Sequence, residues 1–210
     1  MIRLEKKPMA EGFTHDQLTR ITAGIREKYS RVAVSPEGSF RYPTGRQALE
    51  RLGYDMKLVN MLPEEVVASY CGVGNPFSLG PIGEGDGVLD IGCGGGVDTL
   101  IAAMKVGPGG KAVGLEYVPE MLDRARQSLS RSGLTNVTFE EGSGEALPFP
   151  DKSFDAVISN GVFNLIPDKR KAVQEAFRVL RPGGEFVVAD QVLIGKQPAD
   201  TTSMVDTWAG

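Results

Sequence analysis

The feature that most constrains the fold of this sequence is a regular alternation, from Gly87 onward, of short apolar runs with longer amphipathic segments. The short runs have the composition of buried strands, and the longer segments have the apolar spacing of helices. The predicted strands are 88–91, 112–115, 137–139, 154–159 and 185–189, and the predicted helices are 97–106, 119–132 and 168–180. The Arg-Pro-Gly-Gly sequence at 181–184 predicts a turn before the last strand. Because strands that alternate with helices pair in parallel through right-handed crossovers, the sequence predicts an α/β fold with a doubly wound parallel sheet of about five strands.

A glycine-rich turn joins the first predicted strand to the first predicted helix of this alternation. Gly92, Gly94 and Gly96 stand at alternate positions, and Asp90 precedes them. Glycine lets a ligand approach the backbone closely, and the helix that follows presents its N-terminus to an anionic group. The dinucleotide fingerprint G-x-G-x-x-G requires a glycine at position 97, which is Val97 here. The turn therefore indicates a nucleotide-type ligand and disfavours a dinucleotide.

Glu116 stands at the end of the second predicted strand. Because parallel strands end at the same edge of a sheet, its carboxylate is placed to accept hydrogen bonds from both hydroxyls of a ribose. A glutamate at this position serves dinucleotides and other adenosine cofactors alike, and strand-end glutamates are also common on plain protein surfaces. Glu116 therefore supports a nucleotide ligand without identifying it.

The first third of the chain carries the signals of helices. Thr14 and Gln17 form a predicted capping box ahead of an apolar helical pattern. Further short helices are predicted to begin at Thr44, Asp55 and Pro63. We therefore divide the chain into a helical N-terminal extension, 1–70, which we expect to form a lid, and an α/β domain, 71–210. The sequence leaves two alternatives for this domain, a complete domain and one truncated at its C-terminal end.

Composition and charge disfavour several classes of function. The 210 residues carry a net charge of −4 without a run of five basic residues, which argues against nucleic acid and anionic membrane surfaces as partners. The sequence has no apolar window of about 18 residues and no secretory signal, so we expect a cytoplasmic protein. Cys71, Cys93 and His15 are too few to build a metal site of several Cys and His ligands.

Five segments together resemble, in order and spacing, the motifs of class I S-adenosylmethionine-dependent methyltransferases. The segments are 88–96, 114–116, 145–149, 155–160 and 180–184. The resemblance implies a Rossmann-like fold and S-adenosylmethionine as the cofactor. It places the methionine part on the 92–96 loop and the ribose and adenine edge at Glu116 and Tyr117. It also places the adenine at the 143–145 turn and Asn160 beside the methyl group.

The residues that this resemblance assigns to cofactor binding are Tyr70, Asp90, Gly92, Cys93, Gly94, Gly96, Glu116, Tyr117, Ser143, Gly144, Glu145 and Asn160. Ser143 departs from the acidic residue that many relatives carry at this position, so we expect Glu145 or the backbone to meet the adenine amino group. No residue is assigned to catalysis, and no metal is expected.

Four more segments extend the resemblance to one group within the class. These are 70–76, 98–100, 159–169 and 208–210. With them the sequence from Val66 onward is similar to the arsenite methyltransferases.

The arsenite methyltransferase group holds arsenic with cysteine thiolates, and this sequence departs from that pattern. The loop after the fourth strand has Gly161, and Val73 stands at the usual cysteine of the glycine-rich segment, with Cys71 displaced from it. The sequence ends at Gly210, before the last cysteine of the group, and Cys93 lies inside the cofactor loop. We therefore predict that arsenite is not the substrate.

Two hypotheses about function follow. One is an S-adenosylmethionine-dependent methyltransferase that acts on a small-molecule acceptor, and the alternative is a non-catalytic or truncated relative that binds the cofactor and acts through association. A nicotinamide oxidoreductase is disfavoured by Val97 and by the 145–149 segment. Class I methyltransferases add an antiparallel pair of strands after the fifth strand, and few residues follow Ile194 here, so we expect an open sheet edge, which a homodimer or the N-terminal helices could cover.

Overall fold

The computed structural model describes residues 13–80, 82–192 and 208. The strands are β1 (Gly87–Ile91), β2 (Lys111–Glu116), β3 (Val137–Glu141), β4 (Phe154–Asn160) and β5 (Leu180–Ala189). They form one parallel sheet in the order β3-β2-β1-β4-β5. The predicted doubly wound sheet of about five strands is confirmed.

Helices precede the sheet and connect its strands. They are α1 (His15–Val34), α2 (Gly45–Arg51), α3 (Met56–Val59), α4 (Glu64–Val67), α5 (Val97–Val106), α6 (Pro119–Ser132) and α7 (Lys169–Val179). A 3-10 turn at Pro76–Ser78 lies in the glycine-rich segment before β1. Within the part of the chain that the structure describes, no helix has the length and apolar character needed to cross a membrane.

The sheet has two apolar faces because successive residues of a strand point to opposite sides. Val88, Ala112 and Ile158 pack in the cluster that contains α5 and α6. Leu89 and Val113 pack in the cluster that contains α7. β1 is buried along its whole length, as its apolar sequence predicts, and this central position fixes the edge at which the glycine turn emerges.

The stretch Arg181–Gly184, predicted as a turn before the fifth strand, lies inside β5. Leu180 pairs with Phe154 and Glu185 pairs with Ala156, so the four residues between the β5 pairs oppose a single residue of β4. Such an irregularity bends an edge strand and interrupts its ladder. β5 is the edge strand of the described sheet and is largely exposed, which accommodates the extra residues.

The N-terminal helices begin at the predicted positions. The Thr14 hydroxyl accepts from the Gln17 backbone N–H at 3.3 Å, and the Gln17 side chain accepts from the Thr14 N–H at 2.8 Å. The Asp55 carboxylate caps α3 at 2.9 Å. Helices α2 and α4 follow Thr44 and Pro63.

The helical extension packs into the same core as the sheet. Leu49, Val59 and Val67 are fully buried in the cluster that holds α5. The division of the chain at residue 70 stays a prediction. The sequence also predicts the start of a helix at 201–208, and this stretch lies outside the described residues, apart from Trp208.

Candidate functional site

A cavity of about 380 Å³ lies where β1, β2 and β4 end. The strand order changes direction between β1 and β4, and α/β folds bind ligands at this switch point of the sheet. Its walls are the glycine turn after β1, the turn after β3, the loop after β4 and one face of α1. The volume is in the range of about 300–1,000 Å³ that is usual for small-molecule sites.

The glycine turn needs residues without side chains. Gly92 has a φ of +74°, and a Cβ at this position would collide with the side chain of Val162. Gly96 has a φ of +86° at the N-cap of α5, and a Cβ there would lie 2.7 Å from the Phe139 ring. The turn therefore leaves its backbone bare toward the cavity, as the sequence predicts.

Glu116 is held at the end of β2 by the backbone around it. Its Oε2 accepts from the Gly94 N–H at 2.9 Å, and its Oε1 accepts from the N–H groups of Tyr117 and Val118 at 2.8 Å each. Burial raises the pKa of this carboxyl, and the three backbone amides oppose that rise. The result is a carboxylate of fixed orientation that lines the cavity.

The turn after β3 lines the same cavity through Ser143, Gly144 and Glu145. The Ser143 hydroxyl accepts from the Glu145 N–H at 3.2 Å, and the Glu145 Oε1 accepts from the Asp168 N–H at 2.8 Å. These bonds tie the turn to the start of α7. Which group of this turn meets an adenine stays a prediction.

Helix α1 forms the roof of the cavity. Leu18, Thr22, Ile25 and Tyr29 line it at helical spacing. The sequence pattern used Leu18 and Ile25 to predict the helix and did not indicate that they face a cavity. The Arg26 guanidinium stacks 4.7 Å from the centroid of the Tyr117 ring, which adds a contact between the roof and the segment directly after β2.

Both ends of α1 are held by other parts of the chain. The Arg124 side chain donates to the Ala33 carbonyl at 3.1 Å, at the C-terminal end of the helix. At the other end, Phe13 packs edge-on against Trp208 with ring centroids 5.3 Å apart. The Trp208 indole N–H in turn donates to the Leu165 carbonyl at 2.8 Å, on the loop after β4.

Asn160, at the end of β4, connects the sheet to the glycine-rich segment. Its Oδ1 accepts from the N–H groups of Val73 and Gly74 at 2.9 and 3.1 Å. Its Nδ2 donates to Asp98 Oδ2 at 2.9 Å, and the Tyr54 hydroxyl donates to Asp98 Oδ1 at 2.7 Å. Sequence reasoning assigned no role to Asp98 or Tyr54, although 98–100 is one of the segments of the resemblance and Asp98 is an acidic residue in the first turn of the helix after the glycine turn.

A smaller cavity of about 40 Å³ lies behind the glycine turn. Tyr70, Asp90, Cys93 and Asp98 are in its wall. The Asp90 Oδ2 accepts from the Thr99 hydroxyl at 2.7 Å. Burial and the neighbouring Asp98 hold the Asp90 pKa well above its usual range, whereas burial raises the pKa of Asp98 to about 6.

The structure brings eleven of the twelve predicted cofactor residues to these two cavities. Those on the main cavity are Gly92, Gly94, Glu116, Tyr117, Ser143, Gly144, Glu145 and Asn160. Those on the smaller cavity alone are Tyr70, Asp90 and Cys93. Gly96 lines neither and instead starts α5. Binding by each of these residues stays a prediction.

The two cysteines are protonated thiols at neutral pH. Cys71 lines the main cavity, and burial raises the pKa of its thiol to about 12. Burial also raises the pKa of Cys93, which packs against Gly114 of β2. Among the described residues no group of three or more His, Cys, Asp or Glu side chains could hold a metal ion.

Gly161 and Val73 face each other where the loop after β4 meets the glycine-rich segment. Gly161 has a φ of +73°, and a Cβ there would lie 3.5 Å from both methyl groups of Val73. Val73 also lines a second cavity of about 210 Å³, together with Tyr42 and Asp190. The Tyr42 hydroxyl donates to the Cys71 carbonyl at 3.2 Å, and Cys71 lines the main cavity, so the segment 71–73 borders both cavities.

The model of a methyltransferase domain family matches residues 82–209 of this sequence. The chain belongs to this family. Its cofactor is S-adenosylmethionine. The position of Glu116 alone is compatible with several adenosine cofactors, and the family identifies which one binds.

Similar proteins agree with the family. An arsenite methyltransferase of Halobacterium salinarum is 34% identical over 200 residues, which cover 89% of this chain and 51% of that protein. A demethylmenaquinone methyltransferase of Listeria monocytogenes is 36% identical over 107 residues, 51% of this chain and 45% of the relative. The crystal structure of an arsenic(III) S-adenosylmethionine methyltransferase from Chlamydomonas reinhardtii has a TM-score of 0.59 and 39% identity, covering 64% of this chain and 48% of that one. The chain thus spans about half the length of the relatives it matches.

The residues present fit this cofactor. The turn at Gly92 leaves the backbone open to a close ligand, and the Glu116 carboxylate stands at the end of the neighbouring strand in a fixed orientation. Two buried aspartates, Asp90 and Asp98, stand where the cavity continues behind the turn. These acidic side chains suit a ligand that has a diol near Glu116 and a positive charge near Asp90 and Asp98.

Proposed function

We propose that the chain transfers the methyl group of S-adenosylmethionine to a small-molecule acceptor, and that this acceptor is not arsenite. The observation that carries the proposal is the cavity of about 380 Å³, whose wall combines two kinds of element. Gly92 and Glu116 belong to the cofactor part of that wall, and Asn160 at the end of β4 and Gly161 just after it belong to the other part. This arrangement supports a donor and an acceptor held in one enclosure.

The chemistry asks little of the chain beyond positioning. The bound cofactor supplies a methyl group on a positively charged sulfur, open to in-line displacement. Glu116 orients one end of the cavity, Asn160 fixes the segment around Gly74, and α1 shields the site from water. No histidine is among the described residues of the wall, which favours a nucleophile that needs little help from a general base.

The wall offers no pair of thiolates to hold trivalent arsenic. Among the described residues Cys71 is the one cysteine on the main cavity, and the pKa of its thiol, about 12, keeps it protonated at neutral pH. Gly161 and Val73 stand at positions where the resemblance to arsenite methyltransferases places cysteines. These observations support an acceptor that is recognised without sulfur ligands.

A turnover assay with S-adenosylmethionine tests this proposal. We expect S-adenosylhomocysteine to form with one or more members of a panel of small thiols, amines and quinols, and not with arsenite and a thiol reductant. Quinols belong in the panel because one relative is named a demethylmenaquinone methyltransferase. Conversion of arsenite would contradict the proposal, and tight cofactor binding without turnover on any acceptor would favour the non-catalytic alternative.

We also propose a homodimer that forms through β5 and a cytoplasmic location without nucleic-acid partners. Among the described strands β5 pairs with β4 alone, and the nearby Phe177 is 63% exposed, which supports the dimer.

Two further observations support the location and the absence of nucleic-acid partners. Both cysteines are free thiols, which suits a reducing compartment, and the net charge of −4 disfavours nucleic acid. Sedimentation equilibrium tests the dimer, and a monomer at tens of micromolar protein contradicts it.

A further inference from the structure

We propose that the second cavity, of about 210 Å³, binds the acceptor by an ammonium group, and that the Asp190 carboxylate holds this group. The acceptor is then a small amine whose nucleophilic atom lies at the end away from its ammonium group. This inference rests on the proposed methyl transfer and names the class of its acceptor. None of the residues that line the second cavity is among those assigned to the cofactor.

The second cavity adjoins the main cavity at Gly161. Gly161 lines the main cavity and Val73 lines the second one, and a Cβ at Gly161 would lie 3.5 Å from the Val73 methyl groups, an ordinary contact distance. Because Gly161 has no side chain, the space beside it admits a carbon-sized group of a ligand. The Gly161 N–H donates to the Ala189 carbonyl at 2.8 Å, so Asp190, the next residue, follows directly beside this loop. A ligand anchored in the second cavity therefore reaches the main cavity past Val73.

The wall of the second cavity is mostly apolar. Pro43, Ala48, Leu52 and Val73 line it, and Tyr42 adds an aromatic ring. An apolar cavity of about 150 Å³ is large enough for benzene. The second cavity is larger than this, so it has room for a ring-sized hydrocarbon body with a polar group attached.

Two charged side chains line the second cavity, and their burial differs. Asp190 is half-buried at the end of β5, whereas Arg51, in the last turn of α2, is exposed. The Asp190 Oδ2 accepts from the Asn164 N–H at 2.9 Å and its Oδ1 accepts from the Gln191 N–H at 2.6 Å, so each oxygen keeps a further lone pair. Water solvates an exposed guanidinium, but a carboxylate that has lost part of its hydration gains more from an oppositely charged ligand. The difference in burial therefore favours a cationic ligand.

Asp190 forms no ion pair within the part of the chain that the structure describes. Burial lowers the pKa of Lys169 and the charge of Asp190 opposes this, so the two residues are neighbours. The Lys169 ammonium, however, donates to the carbonyls of Asn164 and Ile166 at 3.1 and 2.7 Å. Burial keeps the two neighbouring phenols neutral by raising their pKa values, and these are Tyr29 and Tyr42. A ligand ammonium would supply the partner that Asp190 lacks.

Asp190 determines specificity in this scheme and takes no part in the bond changes. The nucleophile gives a lone pair to the methyl carbon while the carbon–sulfur bond breaks, and the sulfur keeps that electron pair in neutral S-adenosylhomocysteine. With a thiolate as nucleophile, the thiol proton has already left to water and the product is a neutral thioether. The ammonium group at Asp190 is unchanged throughout.

Calorimetry on protein saturated with S-adenosylhomocysteine tests the subsite with three probes of similar shape. Benzylamine carries the ammonium group, benzyl alcohol is its neutral counterpart and benzoate is its anionic counterpart. We expect benzylamine to bind at least about tenfold more tightly than the other two probes. Tighter binding of benzoate would contradict the proposal, because it would assign the cavity to anions through Arg51.

Asp190→Asn separates the charge of Asp190 from its support of the loop, because the amide oxygen can still accept from the Asn164 N–H. We expect the benzylamine affinity to fall about tenfold and the benzyl alcohol affinity to stay within about twofold. The same substitution at the exposed Asp123 is the matched control and leaves both affinities unchanged. Equal weakening of the two probes by Asp190→Asn would overturn the proposal, since it would show a purely structural role.

Leu52→Trp tests the location of the probes by filling the second cavity. We expect it to abolish benzylamine binding while the affinity for S-adenosylhomocysteine, which also reports folding, stays within about twofold. Unchanged benzylamine binding in this variant contradicts the location. If the wild type binds benzylamine as expected but methylates no acceptor, the proposed function fails and the subsite stands. If it methylates an acceptor but does not bind benzylamine, the subsite is wrong and the proposed function stands.

Discussion

The wall of the main cavity has two halves that are built in different ways. The cofactor half consists of the glycine turn, Glu116 and the 143–145 turn, and its polar groups are fixed by backbone hydrogen bonds. The half that we propose to hold the acceptor consists of Gly161 and the segment around Cys71, with Val73 packed behind Gly161, and it offers small or apolar side chains and a neutral thiol. The first half defines its ligand closely, whereas the second leaves the acceptor open.

This difference follows from how the halves arise. The cofactor half comes from the ends of consecutive strands, where parallel pairing fixes each residue within one sheet. The acceptor half comes from the glycine-rich segment and the loop after β4, which meet through Asn160 across 87 positions of sequence. A half built from loops changes its chemistry by single substitutions without disturbing the sheet.

The largest effect is expected in the cofactor half. Glu116→Ala removes the carboxylate and leaves the backbone amides of Gly94, Tyr117 and Val118 without their acceptor. We expect the affinities for S-adenosylhomocysteine and methylthioadenosine both to fall about 100-fold, measured by calorimetry. Glu120→Ala, on the exposed first turn of α6, is the control with no expected change. A loss of less than about threefold for either ligand contradicts this role.

A smaller effect, confined to the acceptor half, is expected from restoring thiols. A Cβ at position 161 would lie 3.5 Å from the methyl groups of Val73, so the double variant V73C/G161C places two thiols next to each other. We expect arsenite to bind this variant at least about tenfold more tightly than the wild type, with cofactor affinity changed by less than about threefold. Loss of cofactor affinity in this variant would mean that the two halves are not independent.

The smallest effect is expected from the roof, which covers both halves. Arg124→Ala removes hydrogen bonds to the Ala33 and Glu65 carbonyls that join α1 and α4 to α6. We expect the stability to fall by about 1–2 kcal/mol. The melting temperature should fall by roughly 2–6 °C, and affinity for S-adenosylhomocysteine should stay within about threefold. An unchanged melting temperature shows that α1 is held without Arg124.

The sequence was most informative where structure is local. The capping box of Thr14 and Gln17, the strand at 88–91 and the position of Glu116 all follow from patterns within a few residues, and the structure contains each of them. The predicted turn at 181–184 failed because its Arg-Pro-Gly-Gly sequence is compatible with both a turn and a bulged edge strand. Pairing with β4 decides between a turn and a bulged edge strand, and the local sequence does not determine this pairing.

The parts of the site that were missed depend on contacts between distant segments. Tyr54 reaches Asp98 across 44 positions of sequence, and neither residue has a periodicity that indicates the contact. The residues of α1 that face the cavity have the ordinary spacing of a packed helix, so their apolar pattern does not reveal what they cover. The acceptor half likewise depends on contacts between segments that are distant in sequence.

The edge-on contact between Phe13 and Trp208 joins positions near the two ends of the sequence. Closing so long a loop costs conformational entropy before the contact can stabilise the fold, so we expect contacts of this kind to form late in folding. We expect the sheet and the glycine turn, whose contacts span shorter stretches of sequence, to form first. The binding surface for the cofactor is then expected to form before its roof, and a bound cofactor should stabilise the folded state that includes the roof.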